Sequence, residues 1–226
     1  SRGMLWLEPL VEVQTDAGRV GYAAVEPENT IALLHNGLLN GADLPCSIGL
    51  VDEHPYLKNQ SRLTFARLGK TDPLSLADYA AHGGWAGLSA ARLLTAQDIV
   101  TAVTESGLRG RGGAAFPAGI KWQTVLNQTA SQKYIVCNAD EGDSGTFSDR
   151  LLMESDPYTL IEGMLIAGLA VGASIGYIYV RSEYPHAIAV LNEAITRAAD
   201  SMNGFNIPVR QAAGSYVCGE ETALLE

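Results

Sequence analysis

The chain has 226 residues, of which 47% are hydrophobic and 18% charged, and its net charge is −10 at pH 7. This length and apolar fraction suffice for the core of one or two domains, and the acidic balance excludes the basic footprint that nucleic-acid binding needs. The three cysteines, Cys46, Cys137 and Cys218, are widely spaced, which excludes a disulfide framework and gives no C-x-x-C metal or redox pair, and no metal ligand is assigned in this chain. A reducing compartment, the cytoplasm, fits this cysteine usage best.

The first 45 residues predict a β-hairpin followed by a short helix. "LEPLVEVQT" alternates apolar and polar residues, "DAG" forms the turn, and "RVGYAAVE" is the second strand. Pro27 opens the helix, whose apolar positions are Ile31, Leu33, Leu34 and Leu38. Residues 46–94 are loop-rich, and we interpret them as a linker and lead-in segment with a short helix near residues 74–81.

A helix that Thr95 opens with a capping-box pattern is predicted to stop at Gly107. The segment "GLRGRGGAAFPAGIKW" follows, and its Gly110-x-Gly112-x-x-Ala115 pattern matches the dinucleotide fingerprint. In a Rossmann fold that fingerprint follows a strand. Because a helix precedes it here, we predict that this glycine loop (residues 107–117) is not a Rossmann turn.

From Lys133 onwards the pattern alternates strands and helices. The strands are "KYIVCN", "SIGYIYVR" and "IPVRQAA", and the helices open at Pro157 and Pro185. Strands this apolar predict an α/β fold, a Rossmann-like parallel sheet with helices on both faces. The charge-free run from Gly163 to Val180 is interpreted as a helix, a turn and a strand, so no membrane insertion is expected.

Three segments, the glycine loop and the loops that follow the first and third strands, could line one ligand-binding crevice. The glycine loop offers many backbone N–H groups beside Arg109, Arg111 and Lys121, and Pro117 starts a helix, a combination that suits a phosphate. The alternative is a tight turn with solvated arginines. The acidic loop, "NADEGDSGTFSDR", follows the first strand, and its carboxylates suit sugar hydroxyls or a hard metal. Its alternative is a solvated surface loop.

The last loop, "GSYVCGEETA", follows the third strand and contains Gly219, Glu220 and Glu221 at a strand-to-helix junction. Its alternative interpretation is the first turn of a helix with favourable acids. Ligands of parallel α/β sheets bind outside the carboxyl ends of the strands, where the acidic and last loops both lie.

The glycine, acidic and last loops, taken together and in this order, resemble the 51 kDa-type flavin- and NADH-binding subunit of respiratory complex I and its soluble relatives. Those relatives are the diaphorase subunits of NAD-dependent formate dehydrogenases and NAD-reducing hydrogenases. The resemblance implies an FMN site formed by Gly110, Arg111, Gly112, Gly113, Lys121, Asn138, Asp140, Glu141, Gly219 and Glu220. It also implies an NADH site in which Phe116 stacks on the adenine and Asp143 and Glu221 line the nicotinamide side.

Two positions depart from the complex I pattern: Asp143 stands in place of a glutamate, and Thr124 in place of a second aromatic residue. The stretch "EGDSGTFSDR" is closer to the formate dehydrogenase and hydrogenase branch, so we expect the beta (diaphorase) subunit of an NAD-dependent formate dehydrogenase. The expected domains are the truncated end of a thioredoxin-like domain (residues 1–45), the linker (46–94) and a C-terminally truncated FMN/NADH-binding domain (95–226).

The resemblance implies reversible hydride transfer between NAD(H) and FMN, with no catalytic side chain because the flavin carries the chemistry. A [4Fe–4S] cluster is expected in a domain that follows this sequence. The implied partners are a small [2Fe–2S] thioredoxin-like subunit and a larger iron–sulfur/molybdenum or hydrogenase subunit. The alternatives are the same role in an NAD-reducing hydrogenase or in complex I, and a nucleotide-binding scaffold module without turnover.

Overall fold

The computed structural model describes residues 2–225, and the chain divides between Ala66 and Arg67 into two compact units. The first unit contains a three-stranded antiparallel sheet in the order β1-β2-β3. Its elements are β1 (Val11–Thr15), β2 (Gly18–Tyr22), α1 (Pro27–His35), β3 (Ser47–Leu50), α2 (Pro55–Lys58) and 3-10 turns at Leu5–Leu7, Leu38–Asn40 and Val51–Glu53.

The predicted hairpin is confirmed as β1 and β2, but it is part of a larger sheet. Strand β3 pairs antiparallel with β2 and lies in the stretch that the sequence assigned to a linker. Helix α1 begins at Pro27 as predicted, yet its apolar side chains are not core residues: Ile31 is 68% exposed and Leu34 42%. Leu38, the predicted position that is buried, belongs to the 3-10 turn after Gly37. That this unit is the end of a thioredoxin-like domain stays a prediction.

The second unit is built on a three-stranded parallel sheet in the order β4-β5-β6, with every pairing parallel. This confirms the predicted α/β class, with helices flanking the sheet. Its elements are α3 (Leu76–Ala81), α4 (Ala86–Ala91), α5 (Ala96–Glu105), α6 (Ala118–Leu126), β4 (Tyr134–Ala139), α7 (Ser148–Ser155), α8 (Pro157–Val171), β5 (Ile175–Val180), α9 (Pro185–Arg197), α10 (Ala199–Met202), β6 (Val209–Gln211), a 3-10 turn at Tyr216–Gly219 and α11 (Glu221–Leu225).

One face of this sheet forms the core of the unit. Ala139, Ile178 and Val180 are buried in one cluster with α8 and α9. Because side chains alternate along a strand, the neighbouring positions point to the opposite face. There Tyr134 and Val136 remain 51% and 41% exposed.

Local signals set several helix ends. Thr95 and Asp98 form the predicted capping box at the start of α5, and Gly107, in the left-handed region at φ +68°, follows its end. The charge-free run also divides as predicted: α8 ends at Val171, Gly172 has φ +78°, and β5 begins at Ile175. Within residues 2–225, no helix is both long and apolar enough to cross a membrane.

Residues 67–94 pack onto α8 as part of the second unit, because a buried carboxylate joins them to it. Glu162 of α8 accepts hydrogen bonds from the hydroxyl of Tyr79 (2.5 Å) and the backbone N–H groups of Trp85 and Leu88 (both 2.8 Å). Two of these donors lie at the amino end of α4, so Glu162 caps that helix from a distant part of the sequence.

Glu162→Gln should lower the free energy of unfolding of the second unit by about 1–3 kcal/mol, because the amide NH₂ would face buried donors that lose their acceptor. Urea unfolding followed by circular dichroism measures the change. The matched control is Glu193→Gln, which breaks the exposed 2.7 Å pair with Arg197 and should cost less than about 1 kcal/mol. Equal effects of the two substitutions would contradict the capping role of Glu162.

Candidate functional site

The glycine loop connects α5 to α6 and closes on itself. The backbone N–H of Gly110 donates to the carbonyl of Phe116 (2.9 Å), and that of Ala118 donates to the carbonyl of Leu108 (2.9 Å). Between these two bonds, residues 111–116 donate no backbone hydrogen bond to an acceptor within residues 2–225. A Cβ atom added at Gly112 or Gly113 would meet nothing within 4 Å. The loop therefore presents a row of unpaired donors to open space.

Two further groups stand beside this row of donors. Lys121 lies in the first turns of α6, and its Nζ is 5.6 Å from the centre of the Phe116 ring. Phe116 is 46% exposed, so one part of its ring is free for contact. Unpaired N–H groups, a lysine and the positive end of a nine-residue helix form an environment that suits an anion.

The acidic and last loops are joined to each other at the carboxyl edge of the sheet. The side-chain amide of Asn138 donates to the carbonyl of Gly219 (2.7 Å), and the hydroxyl of Tyr216 donates to the carboxylate of Asp143 (2.8 Å). This hydrogen bond raises the pKa of Tyr216. A Cβ atom at Gly219 would lie 2.9 Å from Oδ2 of Asp140, so any side chain at this position would require the carboxylate to move.

The carboxylate of Glu141 is occupied within the protein. It accepts hydrogen bonds from the hydroxyl of Ser148 (3.1 Å), the backbone N–H groups of Asp149 (2.8 Å) and Arg150 (3.2 Å), and the hydroxyl of Tyr184 (2.9 Å). Burial and this contact with Glu141 raise the pKa of Tyr184 to about 12. Glu141 thus caps α7, a helix that the sequence pattern does not indicate. Because its carboxylate is engaged in this way, Glu141 would contact a ligand through its main chain.

Asp140 is a buried carboxylate, 3% exposed, for which the described residues provide no hydrogen-bond donor. Burial raises the pKa of its carboxyl group, and the nearby guanidinium of Arg181 opposes that shift. It borders a small cavity of about 60 Å³ lined by Asp140, Gly142, Arg181, Glu183, Gly214, Ser215 and Tyr216. A larger cavity of about 440 Å³, lined mainly by apolar residues of α4, α5, α8 and α10, includes none of the predicted site residues.

The two glutamates after Gly219 have different environments. Glu220 accepts hydrogen bonds from the backbone N–H groups of Thr222 (3.0 Å) and Ala223 (3.1 Å), which lowers the pKa of its carboxyl group. It therefore caps α11, as the alternative interpretation of this loop describes. Glu221 is exposed in the first turn of α11.

The structure thus brings together two of the three predicted segments. Within residues 2–225, no hydrogen bond or ion pair joins the glycine loop to the acidic or last loop. Side chains near the C-terminal end of α6, including Val125 and Leu126, pack in one cluster with Val171. Val171 lies at the end of α8 just before β5 begins, so this end of α6 is near the amino edge of the sheet. The glycine loop lies at the opposite end of α6.

Sequence reasoning missed three residues of this edge: Tyr216, Arg181 and Tyr184. The signal available for Tyr216 is its place in the last loop, next to Gly219. Arg181 and Tyr184 form the "RSEY" segment directly after β5, where side chains reach the same edge as those after β4. Arg181 donates to the backbone carbonyls of Glu141 (2.8 Å) and Gly142 (3.3 Å).

A family model described as the Nuo51 FMN-binding domain matches residues 103–226, which is more than half of the chain and contains all three loops. The chain belongs to this Nuo51 FMN-binding family. The HndC subunit of the NADP-reducing hydrogenase of Solidesulfovibrio fructosivorans is 46% identical over 178 residues, which cover 74% of this chain and 36% of that protein. An NADH-quinone oxidoreductase subunit of Escherichia coli K12 is 41% identical, with coverages of 72% and 39%.

The wider comparisons agree with this membership. The mitochondrial 51 kDa subunit of the NADH-ubiquinone oxidoreductase of Neurospora crassa is 37% identical, with 94% of this chain and 44% of that protein covered. A chain in the crystal structure of an air-oxidized NAD⁺-reducing [NiFe]-hydrogenase aligns with a TM-score of 0.57 and 29% identity, covering 91% of this chain and 34% of that one. This member of the Nuo51 FMN-binding family therefore spans less than half the length of these relatives.

Asp140→Asn should raise the unfolding midpoint at pH 7, because it removes a buried carboxylate to which none of residues 2–225 donates a hydrogen bond. Burial raises the pKa of Asp140 in the folded state, so its unfavourable contribution is absent in acid, grows once the pH exceeds the pKa of the unfolded chain, and is complete above the raised pKa. The gain over the wild type should therefore shrink towards zero as the pH falls below the usual range of a carboxyl group. Thermal unfolding between about pH 3.5 and 7.5 measures this, and a pH-independent difference would contradict it.

Proposed function

We propose that this chain forms the FMN- and NADH-binding part of a flavoprotein that transfers a hydride reversibly between NAD(H) and FMN. The observation that carries the proposal is that the family-matched residues contain an open, donor-rich glycine loop and two joined loops at the carboxyl edge of the sheet. Bound FMN would supply the chemistry by taking the hydride from the nicotinamide and releasing electrons singly to iron–sulfur clusters. No side chain is assigned as a general acid or base.

The residues present fit the parts of FMN. The unpaired N–H groups around Gly112 and Gly113, with Arg111 and Lys121, suit the phosphate. We propose that Asn138 and Asp140, with the main chains of Gly110, Glu141, Gly219 and Glu220, contact the ribityl hydroxyls and the ring edge. A dianionic phosphate would be repelled by the acidic loop, which is why we orient FMN in this way.

NADH would bind on the exposed side of the same site. We propose that Phe116, whose ring is partly free, stacks on the adenine. Asp143, held by Tyr216, and the exposed Glu221 would line the nicotinamide side. Thr124 is exposed on α6, so the second aromatic ring of a two-ring clamp has no counterpart at that position.

We also propose the multi-subunit enzyme to which this chain belongs. The "EGDSGTFSDR" stretch supports the diaphorase subunit of an NAD-dependent formate dehydrogenase. The relatives reported above are hydrogenase and NADH-quinone oxidoreductase subunits, which supports those two assemblies as alternatives. In each case we propose a [4Fe–4S] cluster outside these residues, a small [2Fe–2S] thioredoxin-like partner and a larger iron–sulfur/molybdenum or hydrogenase subunit. The three free cysteines favour the cytoplasm.

Titration of the flavin-stripped protein with FMN, followed by NADH and ferricyanide, tests the proposal. We expect saturable flavin binding and NADH-dependent dye reduction that requires FMN. Nucleotide binding without turnover would favour the scaffold alternative. Supplying the purified assembly with formate or hydrogen and following NAD⁺ reduction separates the possible electron donors.

Lys121→Ala should weaken FMN binding about ten-fold or more, because it removes a charge-assisted contact to the phosphate that typically contributes about 1.5–3 kcal/mol. Flavin content after dialysis and the dissociation constant of FMN measure the effect. The control is Lys58→Ala, which removes an exposed lysine of the first unit that pairs with Glu53. Unchanged FMN retention in the Lys121 variant would contradict its assignment to the phosphate.

Phe116→Ala should raise the KM for NADH several-fold while leaving FMN bound, because an aromatic stack contributes about 0.5–1.5 kcal/mol beyond the area it buries. Steady-state kinetics with NADH and ferricyanide provide the measurement. Leu108→Ala, at an exposed apolar position of the same loop, is the control and should leave KM unchanged. Loss of flavin with an unaltered KM would reverse the role given to Phe116.

A further inference from the structure

The guanidinium of Arg181 fixes two consecutive carbonyl groups of the acidic loop. Its Nη1 donates to the carbonyl oxygens of Glu141 (2.8 Å) and Gly142 (3.3 Å). The guanidinium is itself held in place, because its Nε lies 3.3 Å from the carboxylate of Glu183 and it stands 5.7 Å above the ring of Tyr184. With only 19% of its side chain exposed, Arg181 forms a preformed clamp under the loop.

Because the peptide unit is planar, fixing these two carbonyl groups also fixes the directions of the N–H groups of Gly142 and Asp143. In a trans peptide unit, the carbonyl of one residue and the N–H of the next point in opposite directions. The carbonyls of Glu141 and Gly142 face Arg181, so the N–H groups of Gly142 and Asp143 face away from it. Neither group donates to an acceptor within residues 2–225.

We propose that Arg181 is a positioning residue, which holds the acidic loop so that the N–H groups of Gly142 and Asp143 face the flavin ring. This inference rests on the FMN-binding function proposed above. The ligand atoms are assigned by charge: Asp140 and Asp143 flank these donors and would repel a phosphate, whereas the carbonyl oxygens and ring nitrogens of an isoalloxazine are neutral acceptors. Arg181 acts on the flavin only through the main chain that it fixes.

The chain offers a matched arginine for comparison. Arg197 of α9 likewise donates to a backbone carbonyl, that of Leu74 (2.9 Å), and pairs with a glutamate, Glu193 (2.7 Å). It belongs to none of the three loops. Its replacement therefore removes the same kinds of bond without altering the acidic loop.

The experiment compares the flavin-stripped wild-type protein with Arg181→Met and Arg197→Met by FMN titration and thermal unfolding. Arg181→Met should weaken FMN binding about ten-fold, the loss expected when a donor pair is no longer fixed. Arg197→Met should lower the unfolding midpoint while changing the FMN dissociation constant by less than about two-fold. Equal FMN affinity in the wild type and Arg181→Met overturns the inference.

Arg181→Lys is the second variant, and it tests the positioning role of Arg181 if the Arg181→Met protein does not fold. A lysine keeps the charge but lacks the planar fork, so it can hold the two carbonyls less rigidly. FMN affinity should fall by about three-fold, to a value between those of the wild type and Arg181→Met. Wild-type affinity in this variant, in the absence of a folded Arg181→Met protein, also overturns the inference.

Amide hydrogen exchange supplies a readout that is independent of activity. In the wild type, FMN should slow exchange at Gly142 and Asp143, and this protection should be smaller in Arg181→Lys. Protection that is identical in both proteins counts against the clamp. If the wild type itself binds no FMN, the proposed function fails and the inference with it. Flavin binding by the wild type with unchanged binding by the Arg181 variants overturns the inference alone.

Discussion

Four hydrogen bonds converge on the carboxylate of Glu141, and the shape of the carboxyl edge depends on them. A charged acceptor satisfies N–H groups at the start of α7, where the helix dipole favours a negative group. The same carboxylate accepts from Tyr184, so β4, α7 and the segment after β5 meet at one point. Glu141 itself has φ +47°, a left-handed conformation uncommon for a residue with a side chain. The neighbouring residues of the acidic loop take their directions from this junction.

The same edge contains features that cost stability. Asp140 is buried without a hydrogen-bond donor among the described residues, and a side chain at Gly219 would displace that carboxylate. A fold selected for stability alone would place an apolar residue or an amide at position 140. Such costs are typical of sites that bind a ligand, since the groups that wait for the ligand cannot be satisfied by the protein.

The parts of the fold that local signals determine could be predicted from the sequence. Near-continuous apolar runs indicated all three parallel strands, and Pro157, Pro185 and the Thr95 capping box indicated the starts of three helices. Helices α4 and α7 are among those that were missed. Their amino ends are satisfied by Glu162 and Glu141, carboxylates that lie outside these helices in the sequence. A pattern search along a short window does not detect a cap of this kind.

In the candidate site, too, some features could be predicted from the sequence and others could not. Its location at the strand ends follows from the α/β pattern, and the joined acidic and last loops agree with it. The functions of single side chains were harder to predict, because composition does not distinguish a carboxylate that binds a ligand from one that caps a helix. Glu141 and Glu220 both prove to be caps. Arg181 was missed because the groups that it holds in the acidic loop are main-chain carbonyls, which every residue possesses.

The buried carboxylate of Glu162 also bears on how this domain can be moved between proteins. Arg67 reinforces the same attachment by donating to Asp156 (2.9 Å) at the start of α8. A fragment excised at residue 95 would lose Tyr79, Trp85 and Leu88, so the carboxylate of Glu162 and the apolar part of α8 that these residues cover would be exposed to water. Recombination that preserves folding must therefore transfer the residues from about position 67 onwards as one unit. The pattern of strands and helices alone places the start of this domain later, at residue 95.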